Sequence, residues 1–137
     1  MRTRFALGLS EIEIAVRAGC REALAQGRAV TIAVVDDSGF LLHLSRMDEA
    51  SPASVAGATE KARTAALTGI ETKALEAAVK ERPAMVTMDR VCVEGGVPIL
   101  YRQQRLGGIG VSGVQSNHDA QIAAVTLQAL LTQIAES

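Results

Sequence analysis

Hydrophobic positions change their spacing several times along the chain, and each change marks a new element. Ile12, Val16, Cys20 and Leu24 recur at helical spacing. Ser10 stands before them as an N-cap, and Glu11 and Glu13 fall where the helix dipole favours acid. Gly27 is placed to stop this helix. Residues 30–35 then form a largely β-branched apolar run, the pattern of a buried strand. Asp36, Asp37, Ser38 and Gly39 supply turn chemistry. Residues 40–47 follow as a second strand, with Phe40, Leu42 and Leu44 on one face and Leu41, His43, Ser45 and Met47 on the other. These two strands predict a hairpin.

Ser51 and Pro52 open a second helix, with proline suited to its first turn. One apolar stripe on it is Val55, Ala62, Ala66 and Gly69. A neighbouring stripe is Ser54, Gly57, Ala58, Lys61, Ala65 and Thr68, small at every position except Lys61. A short helix is expected over residues 72–80, ended by Pro83. Residues 85–93 fit either a loop or a strand, and Glu94, Gly95 and Gly96 read as a turn. Residues 97–101 and 106–111 predict a second hairpin joined through Arg102, Gln103, Gln104 and Arg105. Pro98 suits an edge strand, because proline cannot donate to a ladder. Ser116 and Asp119 read as a capping box for a last helix carried by Ala120, Ala124, Leu127, Leu131 and Ile134. The order is α-β-β-α-α-β-β-α. Two antiparallel hairpins flanked by helices predict an α/β chain of the α+β type.

Composition narrows this further. A length of 137 residues fits a single domain over 1–137. The chain is 48% hydrophobic but only 2% aromatic, so its core is aliphatic and its elements approach closely. Lys and Arg number 14 against 15 Asp and Glu, with no basic stripe, which argues against a nucleic-acid partner. No run reaches the length of a membrane-spanning helix, and the apolar stretch near Met1 is too short for a signal sequence, so no membrane partner and a cytoplasmic location are expected. Cys20 and Cys92 have no paired motif and read as reduced thiols.

Gly108, Gly110 and Gly113 have the spacing of a dinucleotide fingerprint, but the chain ends inside the following helix, without the parallel strand and acidic residue that site needs. Close helix–sheet packing explains the glycines instead. The segment from Ser112 through Gly113 to Asn117 leads into a helix N-terminus able to hold an anion. Lys61 has two readings: a stem lying on small neighbours with a wet amine, or an anion or carbonyl partner in a pocket. Arg46 and Asp48 are either a local pair that positions a loop or ligand groups, with the Arg46 fork suited to a carboxylate. His118, in a first helical turn, is either an exposed residue or a candidate base, metal or haem ligand; His43 is a packed or interface residue in mid-strand. The two histidines make no zinc signature, and no metal site is expected. Glu94, beside Gly96, is a pocket carboxylate or a solvated turn residue.

Val34-Val35-Asp36, Gly39, Arg46-Met47-Asp48, Lys61-Ala62, Gly95-Gly96-Val97-Pro98-Ile99, Gly107-Gly108-Ile109-Gly110-Val111-Ser112-Gly113 and Asp119 occur in that order. Together they resemble the haem-degrading or GlcG/HbpS-like family, also seen as the C-terminal domain of PduO-type proteins. The resemblance implies a profilin-like fold with an antiparallel sheet of about five strands, a homo-oligomer of dimers or larger, and haem or a related tetrapyrrole as a candidate ligand. It also implies roles beside catabolic enzymes, including those of aromatic compounds. The chain departs from the family pattern in its Arg102–Arg105 turn, in His118, and in having no histidine in the first helix. The last departure removes one kind of axial haem ligand and leaves His43, His118, Cys20 and Cys92 as alternatives.

Two functions follow. One is a small-molecule-binding protein of catabolism whose pocket takes an anionic metabolite or haem-like ligand. The other is a cofactor-free isomerase, tautomerase or hydrolase acting on an unsaturated carboxylic acid from aromatic-ring degradation. In the second, Lys61 and Arg46 fix the carboxylate while His118 or Glu94 moves a proton. No complete set of nucleophile, base and orienting group is visible, so whether the chain is an enzyme is left open.

Overall fold

The computed structural model describes residues 1–113 and 115–137. Val114, inside the segment read as an anion cradle, lies outside them. Helix α1 is Leu9–Ala25, strand β1 Thr31–Asp36, β2 Leu41–Arg46, helix α2 Ala53–Thr68, α3 Thr72–Glu81, β3 Gly96–Tyr101, β4 Gln104–Ser112 and α4 Ser116–Glu136. A 3-10 turn, Pro83–Thr87, fills part of the stretch that fitted loop or strand equally well. The sheet has four strands among the described residues rather than about five, in the order β2-β1-β4-β3. All its pairings are antiparallel. The α+β architecture is as expected, and β3, with Pro98, is indeed an edge.

Alternation along β1 sends its side chains to two different cores, which is why its apolar run is continuous. Ile32 and Val34 join Ile12, Val16, Ile99, Ile109, Ile122 and Leu130 under α1 and α4. Ala33 and Val35 join Ala58, Ala62 and Ala66 under α2. The second core is thin because α2 nearly touches the sheet. A Cβ on Gly108 would meet the Ala62 carbonyl, and one on Gly110 would meet the Ala58 carbonyl. Both predicted stripes of α2 thus contribute to the buried face, Ser54, Ala58, Lys61 and Ala65 from one and Ala62 and Ala66 from the other. Gly19 does the same for the crossing of α1 with α4, where Thr126 fills the space a side chain would need.

Several local expectations are corrected. The residue capping α1 is Gly8, whose N–H donates to Glu11 Oε1 at 2.6 Å; Ser10 is already helical. The buried stripe of α4 is Asp119, Ile122, Ala123, Thr126 and Leu130, displaced from the predicted one, and Ala124 is exposed. Gln115, not Ser116, precedes α4, so the predicted capping box is not formed. Val34 pairs with His43 but Val35 with Leu41, so a bulge at Leu42 breaks the face alternation read for β2. Among the described residues, no helix is long and apolar enough to cross a membrane.

Candidate functional site

Lys61 lies in the middle of α2, 5% exposed. Its ammonium donates to the Val111 carbonyl at 3.0 Å and to Asp119 Oδ2 at 3.1 Å. Asp119 is 1% exposed, in the first turn of α4. Of the two sequence readings of Lys61, the wet amine is not what the fold shows; the anion and carbonyl partners are present, but they belong to the chain itself, and the amine is enclosed with them rather than open to a cleft.

The turn before β3 is moulded on this pair. Gly95 has φ +133°, and a Cβ there would lie 2.8 Å from Lys61 Nζ and 2.7 Å from the Val111 oxygen. The Val111 N–H donates to the Gly95 carbonyl at 3.0 Å. Thr72, fully buried at the start of α3, accepts the Gly96 N–H at 2.8 Å. Glu94 is therefore carried on a turn fixed by three other elements.

Over the turn lies a cleft of about 310 Å³ lined by Glu94, Gly96, Asn117, Gln121, Lys73 and Ala120, among others. It joins three residues predicted as a site: Glu94, Gly96 and Asn117. Lys61 lies behind its wall at Gly95. His118 is half-buried and is not part of the lining. Ser112 packs against α2, where a Cβ on Gly57 would lie 2.5 Å from its Oγ. Gly113, with φ +142°, turns against Ala29 and Val30. Arg46 ends β2 and Asp48 lies in the connection to α2, and neither lines the cleft. Arg46 donates from Nε and Nη2 to the Ala50 carbonyl at 3.0 and 2.9 Å, so its fork holds that loop.

A second concavity, of about 460 Å³, lies between α1 and β2. His43 and Ser45 face it from the strand and Met47 from just beyond its end; Glu13, Arg17, Cys20, Arg21 and Leu24 face it from the helix. His43 Nε2 is 2.9 Å from Ser45 Oγ. Met47 Sδ accepts the Val30 N–H at 3.5 Å, which fixes the side chain at the groove floor. Both cysteines are free, and burial pushes the Cys20 thiol above its ordinary pKa. The signal for this groove was present in the sequence as two separate patterns, the α1 stripe through Val16, Cys20 and Leu24 and the β2 face through His43, Ser45 and Met47. Only the packing of α1 on β2 joins them. Among the described residues no group of three or more His, Cys, Asp and Glu side chains is placed to hold a metal ion.

Comparison with known proteins gives the family. Residues 7–128 match the family described as haem degrading protein HbpS-like. Over 114 residues the chain is 43% identical to Protein GlcG of Escherichia coli (strain K12), a match spanning 82% of this chain and 85% of that one. A double mutant of Streptomyces reticuli HbpS superposes with a TM-score of 0.89 at 30% identity, over 95% of this chain and 90% of that chain. The PduOC:Heme complex superposes with a TM-score of 0.85 at 25% identity, over 91% of this chain and 95% of that chain.

Proposed function

The chain belongs to the HbpS-like family, and on that premise we propose that it is a ligand-binding protein whose groove between α1 and β2 takes a haem-like tetrapyrrole. The observation that carries this reading is the donor set of the groove. One imidazole, two sulfurs, two guanidiniums, the Glu13 carboxylate and the Ser45 hydroxyl line it with the apolar Val16 and Leu24, so its two cations outnumber its one acid. A porphyrin presents a flat apolar ring, a central iron and carboxylates. Val16, Leu24 and Met47 suit the ring, since burying apolar area is the main driving force for such a ligand. Arg17 and Arg21 suit the carboxylates, with forked donors that match their geometry. His43 suits the iron, because its other contact, to Ser45, sets the ring orientation. Cys20 keeps its proton near neutrality, since burial raises its pKa, and so acts as wall rather than thiolate ligand. When bound, the iron supplies the redox and ligand chemistry of haem. The donor set fits the group, and a relative solved as a complex with heme adds support.

The reading includes assembly into a homo-oligomer and a catabolic setting, both implied by the family. Phe40, just before the edge strand β2, and Leu41, its first residue, are 73% and 50% exposed and favour self-association. The test is haem titration of the whole chain followed at the Soret band. Saturable binding of one haem per chain, lost in His43→Ala and weakened about tenfold in Arg17→Ala/Arg21→Ala, is expected. No saturable Soret change, or an unaltered one in His43→Ala, overturns the assignment.

The cofactor-free enzyme remains as a second reading because of one observation: Glu94 sits on a fixed turn beside Asn117 at the mouth of a cleft. There Lys73 and the α4 N-terminus would hold a carboxylate of an unsaturated acid, and Glu94 would move the proton. His118 and Lys61 would support this only from outside the lining. Turnover of a ring-cleavage acid that falls on the order of a hundredfold or more in Glu94→Gln is the expected sign. No turnover across such a panel removes this reading.

A further inference from the structure

At one end of the sheet, residues from the N-terminal segment and from the second hairpin bring four guanidiniums into one hollow. Arg2 and Arg4 come from the N-terminal segment, Arg102 from the turn between β3 and β4, and Arg105 from the start of β4. Asp37 and Ser38, in the turn between β1 and β2, close the hollow, whose volume is about 640 Å³. Asp37 is the one acidic residue lining it, in a chain whose net charge is only −1. No basic stripe runs along the sequence; the cluster exists only in the fold.

The hollow is organised rather than a chance meeting of exposed side chains. The Phe5 N–H donates to Gln104 Oε1 at 3.1 Å, and Gln104 Nε2 donates to the Phe5 carbonyl at 2.8 Å. This reciprocal pair ties the segment bearing Arg2 and Arg4 to the hairpin. Phe5 and Tyr101 meet edge to face with centroids 5.3 Å apart, and the Arg102 guanidinium lies 5.2 Å from the Tyr101 ring and 5.8 Å from Phe5. Those contacts hold the cation by its flat face. Arg105 donates through Nη1 to the carbonyls of Ala66 and Leu67 at the end of α2, which anchors it where the helix dipole favours a cation. Arg102 and Gln103 both have positive φ, 49° and 67°, in a turn where Asn-Gly is the ordinary choice. A left-handed backbone at two side-chain-bearing residues is a cost, met where those side chains face the hollow. The Arg4–Asp37 pair is 3.7 Å long and exposed, so a stronger anion displaces it easily.

We propose that this hollow binds a small polyvalent phosphate anion, of the kind carried by a diphosphate or triphosphate group. Arginine forks match phosphate oxygens two at a time, and four of them exceed what a single monoanion needs. The site lies on residues separate from both the α1–β2 groove and the Glu94 cleft, so it stands whether or not the chain binds haem.

Isothermal titration of the full chain with inorganic pyrophosphate tests it, with sulfate at equal ionic strength as the reference. One saturable site for pyrophosphate is expected, binding at least about tenfold tighter than sulfate. Arg2→Ala/Arg4→Ala, which alters only the N-terminal segment, is expected to weaken it about tenfold with the melting temperature unchanged. Arg102→Gln is expected to weaken it similarly. Binding no better than sulfate, or unchanged in both variants, overturns the proposal. A single-stranded oligonucleotide bound more tightly than pyrophosphate also overturns it, since the surface would then serve a macromolecule.

Discussion

The ammonium of Lys61 and the carboxylate of Asp119 meet at 3.1 Å with both side chains buried, which joins the middle of α2 to the first turn of α4. The helices lie on opposite faces of the sheet, and the pair passes it beside Val111, near the end of β4, where pairing with β3 has stopped at Gly96 and Gly110. Enclosing two charges is worthwhile only where geometry and further hydrogen bonds compensate their lost hydration. Here the Val111 carbonyl supplies one such bond. Lys61→Met takes the cation away from a buried carboxylate and is expected to cost about 3–5 kcal/mol in urea unfolding. Lys61→Met/Asp119→Leu is expected to regain part of that loss, with a coupling of about 1–3 kcal/mol. Additive losses would mean that the pair holds nothing together.

Gly95 supplies a separate check on the same arrangement. Its φ of +133° strains any side chain, and an added Cβ meets Lys61 Nζ at 2.8 Å and the Val111 oxygen at 2.7 Å. Gly27 also has positive φ, +68°, but nothing lies within 4 Å of its would-be Cβ. Gly27→Ala is expected to cost about 1–2 kcal/mol, the left-handed penalty alone. Gly95→Ala is expected to cost clearly more in the same denaturant titration, and to disturb the cleft bearing Glu94.

These two positions also mark how far the sequence could be read. The small stripe on α2, the β-branched run of β1 and the Gly95–Gly96 turn were all legible, because each follows from local periodicity or backbone need. Lys61 stood out among small neighbours, but its partner did not: Asp119 looked like half of a capping box 58 residues away. A capping box and a long-range ion pair need the same carboxylate, and only the packing of α4 decides between them. The stripe of α4 was misplaced for a related reason. Alanine is apolar enough to mark either face, so Ala120 and Ala124 drew the pattern toward the cleft while Ile122 and Thr126 took the core. His43 and Cys20 were each visible, and their meeting in one groove was not, since no local pattern encodes which helix covers which strand.

Arg46 separates loop support from ligand binding. Both of its bonds end on the Ala50 carbonyl, at 3.0 and 2.9 Å. Arg46→Ala is expected to lower stability by about 1 kcal/mol, the net worth of such bonds at a partly exposed site. Haem and pyrophosphate titrations should be unaltered within error. A lost or weakened ligand response in this variant, with the melting temperature unchanged, would instead make Arg46 a ligand group.

Cys20 makes the stability of the fold depend on alkaline pH in a definite direction. Burial raises the pKa of its thiol in the folded chain, while the unfolded chain keeps the ordinary value. Between those values the folded state holds a proton that the unfolded state has lost. Proton uptake by the native form then exceeds that of the unfolded form, and stability falls as pH rises. The contribution is whole below the ordinary thiol value of about 8.5 and fades as pH climbs through the raised one. Urea midpoints measured from neutral to strongly alkaline pH should therefore decline less steeply in Cys20→Ala than in the natural chain. Iodoacetamide should modify Cys20 in the folded protein more slowly than the same thiol in the urea-unfolded chain at the same pH, since only the thiolate reacts. Equal alkaline slopes for the two proteins, with equally fast alkylation folded and unfolded, would place Cys20 in water rather than against the floor of the groove, and the groove would then lose the apolar wall on which the tetrapyrrole assignment depends.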